Sequence, residues 1–584
     1  MMKGKKLRAV TQFRRIALVL LLAAAFAALC SCRRSAKQDL SLRFLVNGEQ
    51  EIRVLEHSEK KMAYVFLPSY ADLNRTIVLL PDGATASIGG VPLVSGMDCS
   101  GFAAGTEYAF TANGSPEITL VFLQSANVAA LFVETAREDD FIQVNADKEY
   151  RADITASLYT ADGEADYVSG EGDRISGRGN TTWYLAKKPY NLRLSKKADL
   201  LGMVKGKKWA LLANGYDETN LRNRLVLDFA AELGSYHGFA PECAYTDLYV
   251  NGEYQGLYLI CKSTDSATDQ FLDEDSEDAY EIELTLTSKI DPADPRIRLN
   301  DSMSAEIKVP EKYSSGQKDE LADLLDLFQA WISSDAQEPE GIRPDYDSLA
   351  RKILVETIFE NYDGATASQF FWGDLKEMTI HAGPCWDYDL AIGNYFVPWQ
   401  SPRGMVAFKD WNLGKDISWY HGLWEKTAVR TLAEEIYRDE CRDRLAGYVE
   451  HGIQEEADRI AAASELDRIR WPSLHTKYDS YALAVADLLA YFRERVSFLN
   501  SLWIEKEEYH LVTMKLLTGR IFNCYVPDGE PFRELPHPSE LLQTNENGQL
   551  AEVWYREDTD ELFDADTPVT EDLVIYASRP KKTE

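Results

Sequence analysis

Short apolar runs bounded by turn residues predict strands at Leu42–Val46, Met62–Leu67, Thr76–Leu80 and Ile118–Leu123. The turn pairs Asn47-Gly48, Asp82-Gly83 and Asn113-Gly114 punctuate them. From Phe141 the pattern mixes. Strands are expected at Ala152–Tyr159 and Tyr190–Leu194, then a helix over Asn220–Leu233 behind Thr219 as cap. Tyr245–Val250 and Tyr254–Cys261 around Asn251-Gly252 form the plainest hairpin, because Asn-Gly suits a two-residue turn. Helical periodicity follows over Gly316–Ser333, Asp347–Glu360, Trp411–His451, Gln454–Ala463 and Tyr478–Lys506. The tail returns to short strands, His510–Met514, Arg520–Tyr525, Val553–Tyr555 and Leu573–Ala577. These runs predict an α+β protein with a sandwich-like N-terminal β module over 41–140, a mixed domain over 141–506 and a small β unit over 509–580.

Chemistry concentrates between Asn361-Tyr362-Asp363 and Trp386-Asp387-Tyr388-Asp389. The intervening Ser368–Trp372, Gly373–Lys376 and Met378–Ala382 read as strand, turn and strand. A hairpin brings its ends together, so Asp363 and Asp387 are expected to face one small volume. Carboxylates gathered this way repel unless a cation lies between them, and hard oxygen ligands suit Mg²⁺ or Mn²⁺. An acid before such a hairpin and another after it is the spacing by which protein kinases place a catalytic base and a metal-binding aspartate. His381 lies mid-strand and is expected to be structural.

Composition narrows the field. A chain of 584 residues exceeds one ordinary core, and 45% hydrophobic content with 12 Trp and 30 Tyr is ample for packed domains. A formal charge of −33 argues against general binding to nucleic acid, whose phosphates would be repelled. Six basic residues between Lys3 and Arg15 precede the apolar run Ile16–Leu29, the pattern of an export signal. Leu29-Cys-Ser-Cys32 resembles a bacterial lipobox, which implies lipidation of Cys32, a tether over 33–40 and a membrane-anchored protein at the cell surface or envelope. The six later cysteines, Cys99, Cys243, Cys261, Cys385, Cys441 and Cys524, show no metal-binding spacing and read as buried thiols. A Cys243–Cys261 bridge is left open.

The run Gly177-Arg-Gly-Asn-Thr-Thr-Trp183 followed by Lys187-Lys-Pro-Tyr-Asn-Leu-Arg-Leu194 resembles the signature of the CotH kinase family. Trp209–Asn214, Leu221-Arg-Asn223, Leu248–Tyr258, Lys308-Val-Pro310 and Gly383–Leu390 resemble further family blocks in the same order. The resemblance covers about residues 145 to 500. It implies a two-lobed, atypical protein-kinase-like domain that transfers phosphate from ATP to protein serine or threonine with Mg²⁺ or Mn²⁺. By motif, Asp363 is similar to the catalytic aspartate, Asp387 to the metal-binding aspartate, and Asp389 to a second ligand or a group supporting it. The phosphate-steadying cation implied is Lys188, with Lys187 and Arg178 as rivals, and Arg222 with Asn223 buttressing the site or touching phosphate. Gln369 stands where many members carry a metal-binding asparagine, and Lys262 where glutamate is common.

The tail, from Gly529-Glu-Pro531 to Tyr576-Ala577, resembles a Listeria-Bacteroides repeat, a β-grasp-like module of surface proteins. The expected function is therefore an exported kinase acting on a protein substrate, with no nucleic-acid partner. The competing expectation is an adhesion or envelope-assembly lipoprotein that uses the same scaffold without phosphoryl transfer.

Overall fold

The structure is a computed structural model that describes residues 42–263, 271–272, 276–310, 312, 314–365, 367–397, 399–405, 419–517, 521–541 and 550–580. The export signal, Cys32 and the tether lie outside the described residues. The chain divides into two compact units, one holding residues up to 65 with 73–122, the other 66–72 with 123–584.

The first unit is β throughout. Its sheets have three strands, ordered 50–53, 43–46, 77–79, and six strands, ordered 55–57, 62–67, 118–124, 107–112, 86–88, 91–92. Phe44, Phe110 and Phe122 are fully buried, and Phe44 meets Phe122 edge to face at 5.4 Å. Asn47-Gly48 and Asn113-Gly114 take positive φ at the expected turns.

The second unit begins with a sheet that closes on itself. Strand Ala129–Thr135 runs parallel to Cys243–Val250 on one side and antiparallel to Arg151–Tyr159 on the other. Between these neighbours the ladder passes through Glu253–Lys262, Gly206–Leu212, Tyr190–Ala198 and Asp173–Gly177. These seven strands close into a ring, and Ala165–Val168 adds a short edge strand beside residues 157–159. Residues 129–135 thus belong to this ring, whereas their sequence pattern alone groups them with the N-terminal β module. Closure demands a partner for both edges of the strand, a long-range fact that local periodicity does not carry. Inside the ring Leu131, Val133, Ile175, Leu192, Trp209, Leu211 and Ile260 form one core. Asn251 and Gly252, at φ 50° and 76°, make the expected hairpin turn. Cys243 and Cys261 face each other across that ladder as free, buried thiols.

A second sheet orders strands 296–298, 303–309, 279–286, 369–374, 379–382 and 343–344. Helices pack against it and against one another. Ser315–Ile332 starts with a capping box in which Ser314 Oγ accepts from Gln317 N and Gln317 Oε1 accepts from Ser314 N. Tyr346–Ile358 is capped by Asp345, and Tyr481–Asn500 by Ser480. Their buried faces, with Phe328, Leu354, Ile358, Phe371, Phe492 and Leu499, share one continuous core. The arrangement is α+β, with more strands than helices.

The last sheet orders 521–527, 509–515, 573–578, 553–556 and 562–563, with its first and last strands in the chain, 509–515 and 573–578, parallel. It docks on the segment after the acidic hairpin. Tyr525 N donates to Arg403 O at 3.0 Å, Met405 N to Asn523 Oδ1 at 2.9 Å, and Arg403 pairs with Glu534 at 2.8 Å.

Candidate active site

Asp363 opens a short 3₁₀ turn, Asp363–Ala365, directly after the 346–358 helix. The 369–374 and 379–382 strands then carry the chain out and back, and the return delivers Trp386–Leu390 beside that turn. Asp363, Asp387 and Asp389 line one cavity of about 280 Å³. Its opposite wall is the ring sheet and its loops, with Arg178, Gly179–Thr182 and Leu212–Asn214. Glu283, Thr285, Lys289 and Lys308 close a third side.

The three carboxylates feel one another. Burial pushes the Asp387 carboxyl up to about 6, the Asp363 charge adds to this, and Arg178 and Lys289 oppose it. Burial also raises Asp363, against the pull of Lys289. Asp389 is raised well above the usual carboxylate range, by burial and then by Asp387 and Asp363. A charge cluster of this kind favours protons or a cation.

Among the described residues no group of three or more His, Cys, Asp and Glu side chains is assembled as a ready-made metal cage. The donor set fits a different mode. Mg²⁺ is usually held by one or two carboxylates, with waters and substrate phosphates completing its octahedron. Asp387 and Asp389 would supply that pair.

The loop carrying these acids is clamped from below. Asn223 Oδ1 accepts from Tyr388 N at 2.7 Å, and Asn223 Nδ2 donates to Asn214 Oδ1 at 3.0 Å. Arg222 donates to Ala391 O at 2.9 Å and Ile392 O at 3.1 Å while pairing with Asp217 at 2.6 Å. Asp217 also accepts from Arg222 N at 2.8 Å, and the N-cap of the Arg222–Leu233 helix is Leu221, with no side-chain cap bond, in place of the expected Thr219. Asp387 itself sits at φ +68°, a left-handed conformation that Asp tolerates better than most residues.

Residues 175–499 match the family described as CotH kinase protein, more than half of the chain. The protein belongs to the CotH kinase family. None of the curated proteins matches the chain. Membership in the CotH kinase family suggests kinase activity, with ATP and a divalent metal as its requirements.

Several residues singled out from sequence lie elsewhere than the cavity wall of this CotH domain. Lys187 is 1% exposed, pairs with Asp467 at 2.7 Å and donates to Leu257 O. Lys188 lies 4.3 Å over the Trp183 ring and donates to Trp183 O. Arg222 is spent on Asp217 and the two carbonyls, so it buttresses and does not face the cavity. Gln369 is fully buried and is not among the residues lining the cavity, while its neighbours Ser368 and Phe370 are. Side chains alternate along a strand, so one step in register exchanges the two faces. Arg178 and Asn223 do line the cavity. His381 contacts Asp345 at 3.0 Å and stacks on Trp372 at 4.2 Å.

Three cavity cations, Lys148, Lys308 and Lys289, were not singled out as site residues from sequence. Lys308 is held between Glu283 at 2.9 Å and Glu306 at 2.8 Å. Lys289 lines the cavity, has no carboxylate within ion-pair distance among the described residues, and acts on both Asp363 and Asp387. The resemblance block Lys308-Val-Pro310 was the one sequence signal for Lys308. For Lys289 there was none.

Proposed function

We propose that this chain is a metal-dependent phosphotransferase that moves the γ-phosphoryl group of ATP to a serine or threonine hydroxyl of a protein, and that it works as an exported lipoprotein anchored through Cys32. The supporting observation is the convergence of Asp363, Asp387 and Asp389 on one cavity beside Arg178 and Lys289. In this reading Asp363 orients the acceptor hydroxyl and takes its proton as the new O–P bond forms and the bond to the departing ADP oxygen breaks. Asp387 and Asp389 would hold the divalent ion, which when bound neutralises charge on the phosphate oxygens. Lys289 and Arg178 flank the same space and would steady the phosphoryl oxygens, so Lys289 takes the role that the family motif suggests for Lys188. Such transfer is mostly positioning and charge neutralisation, which suits a site built from fixed loops and paired cations.

The test uses the full chain with labelled ATP, Mn²⁺ and an envelope extract, beside Asp363→Asn and Asp387→Asn. Wild type is expected to label protein, and each variant to lose at least about a hundredfold of the rate. Labelling unchanged in either variant means that these aspartates are not the catalytic groups. A folded wild type that labels nothing yet binds Mn²⁺ favours a surface-binding or assembly role instead.

A further inference from the structure

Beneath the cavity lies a buried polar triangle that the phosphotransfer scheme above does not use. Lys352 and Glu356 sit one turn apart on the 346–358 helix, with side chains 1% and 2% exposed. Lys352 Nζ donates to Glu356 Oε1 at 2.7 Å and to the Tyr388 hydroxyl at 3.0 Å. The Tyr388 hydroxyl in turn donates to Glu356 Oε1 at 2.8 Å. Tyr388 is the residue between Asp387 and Asp389. Its backbone is held by Asn223 and its ring tip by the triangle, so both ends of one residue fix the pair of acids.

The triangle also touches the other loop. Asn361 N donates to the Glu356 carbonyl at 3.1 Å. Glu356 Oε2 has no hydrogen-bond partner among the described residues and packs against Gly364, the neighbour of Asp363. A β-carbon at Gly364 would lie 2.6 Å from that oxygen and 2.7 Å from Asn361 Nδ2, so the turn holding Asp363 rests directly on the Glu356 carboxylate. A buried ion pair is a poor source of stability, because desolvation consumes most of its Coulombic gain, and three apolar side chains would fill the space at less cost. What the polar triangle adds is direction: hydrogen bonds fix a separation that apolar packing leaves free.

We infer that Lys352, Glu356 and Tyr388 form a strut that sets the spacing between the Asp363 turn and the Asp387–Asp389 loop, making Glu356 and Tyr388 positioning residues for phosphoryl transfer. The inference rests on the phosphotransferase reading for its consequence, since a misplacement of about 1 Å can cost about a hundredfold in rate. Its geometric content stands apart from that reading and has its own readout.

Tyr388→Phe removes a single oxygen from a ring that stays packed, and Glu356→Gln keeps an acceptor for Tyr388 while removing the charge. Both are compared with wild type and Glu356→Ala in the full chain. Mn²⁺ binding is measured by electron paramagnetic resonance of the free ion, transfer with labelled ATP and dephosphorylated casein, and folding by thermal unfolding. Tyr388→Phe is expected to weaken Mn²⁺ binding roughly tenfold and lower kcat roughly tenfold or more, with KM for ATP within about twofold of wild type. Glu356→Gln is expected to retain more of both than Glu356→Ala. Mn²⁺ affinity and kcat of Tyr388→Phe within about twofold of wild type, whatever happens to its melting temperature, overturn the strut. Should wild type transfer nothing, the phosphotransferase reading falls, and the strut is judged by the Mn²⁺ isotherms alone, where equal affinities refute it. A wild type that neither transfers phosphate nor binds Mn²⁺ overturns both.

Discussion

Lys187→Met should behave as a stability variant and not as a nucleotide-binding variant. The Lys187 ammonium and the Asp467 carboxylate are 1% and 2% exposed and 2.7 Å apart. Asp467 also accepts from Leu257 N at 3.0 Å and meets His475 Nε2 at 3.3 Å. Burial works against its charge, yet Lys187 and His475 outweigh that and hold the carboxyl below its usual range. The approach is close enough that Gly256, at φ +114°, has no space for a β-carbon: one would lie 2.3 Å from Asp467 Oδ1. Removing the ammonium leaves a sealed carboxylate with two weaker donors, a loss of about 3–5 kcal/mol. In a unit of this size the unfolding entropy of about 2 cal/mol/K per residue makes that roughly 1 °C per kcal/mol, a fall in melting temperature of about 3–5 °C. Adding Asp467→Asn should recover part of the loss, since the amide oxygen still serves Leu257 N and no unpaired charge remains. The assays are thermal unfolding of wild type and both variants, and KM for ATP at a temperature where each is folded. KM is expected within about twofold of wild type throughout. An unchanged melting temperature together with a tenfold rise in KM would refute the reasoning and return Lys187 to the nucleotide.

Two further outcomes are expected. Burial pushes Asp247 up to about 7, with Asp467 adding to the shift and Tyr254 and Lys187 opposing it. The folded state therefore binds this proton more tightly than the unfolded chain, so stability is fully present below about pH 4 and falls as pH rises through about 7, by up to about 4 kcal/mol. Asp247→Asn should flatten that fall in urea titrations between pH 5 and 8, and an undiminished fall assigns it to another group, such as Glu360, which burial also raises to about 7. Asp345→Ala removes the acceptor for Ser348 N at the start of the 346–358 helix and the partner of His381. Chemical denaturation should show a loss of about 1 kcal/mol, with a loss under about 0.3 kcal/mol showing that the cap is replaced.

Much of this molecule is written locally. Asn251-Gly252 prescribes its hairpin because few other residues take positive φ twice in succession, and the helices begin at Ser314, Asp345 and Ser480 because short polar side chains satisfy the first free N–H groups. The acids Asp363 and Asp387 were legible for the same reason, since a short hairpin between them leaves their approach little freedom. Of the cations, Arg178 was legible too and lines the cavity, whereas the lysines were not. Lys187 and Lys188 are adjacent just before the 190–198 strand, yet one is sealed against Asp467 and the other lies on Trp183. Lys289, more than seventy residues before the acids in the chain, reaches the cavity that they line. Gln369 and Phe370 differ by one step of the 369–374 strand, and of the two only Phe370 lines the cavity.

Sequence by itself therefore determined most of the elements, their order and the approach of Asp363 to Asp387, because these depend on propensity and on short connections. Only the tertiary structure decided which strand closed the ring and which positive charges faced the acids. Both follow from sheet register and burial, and these are settled between segments far apart in the chain.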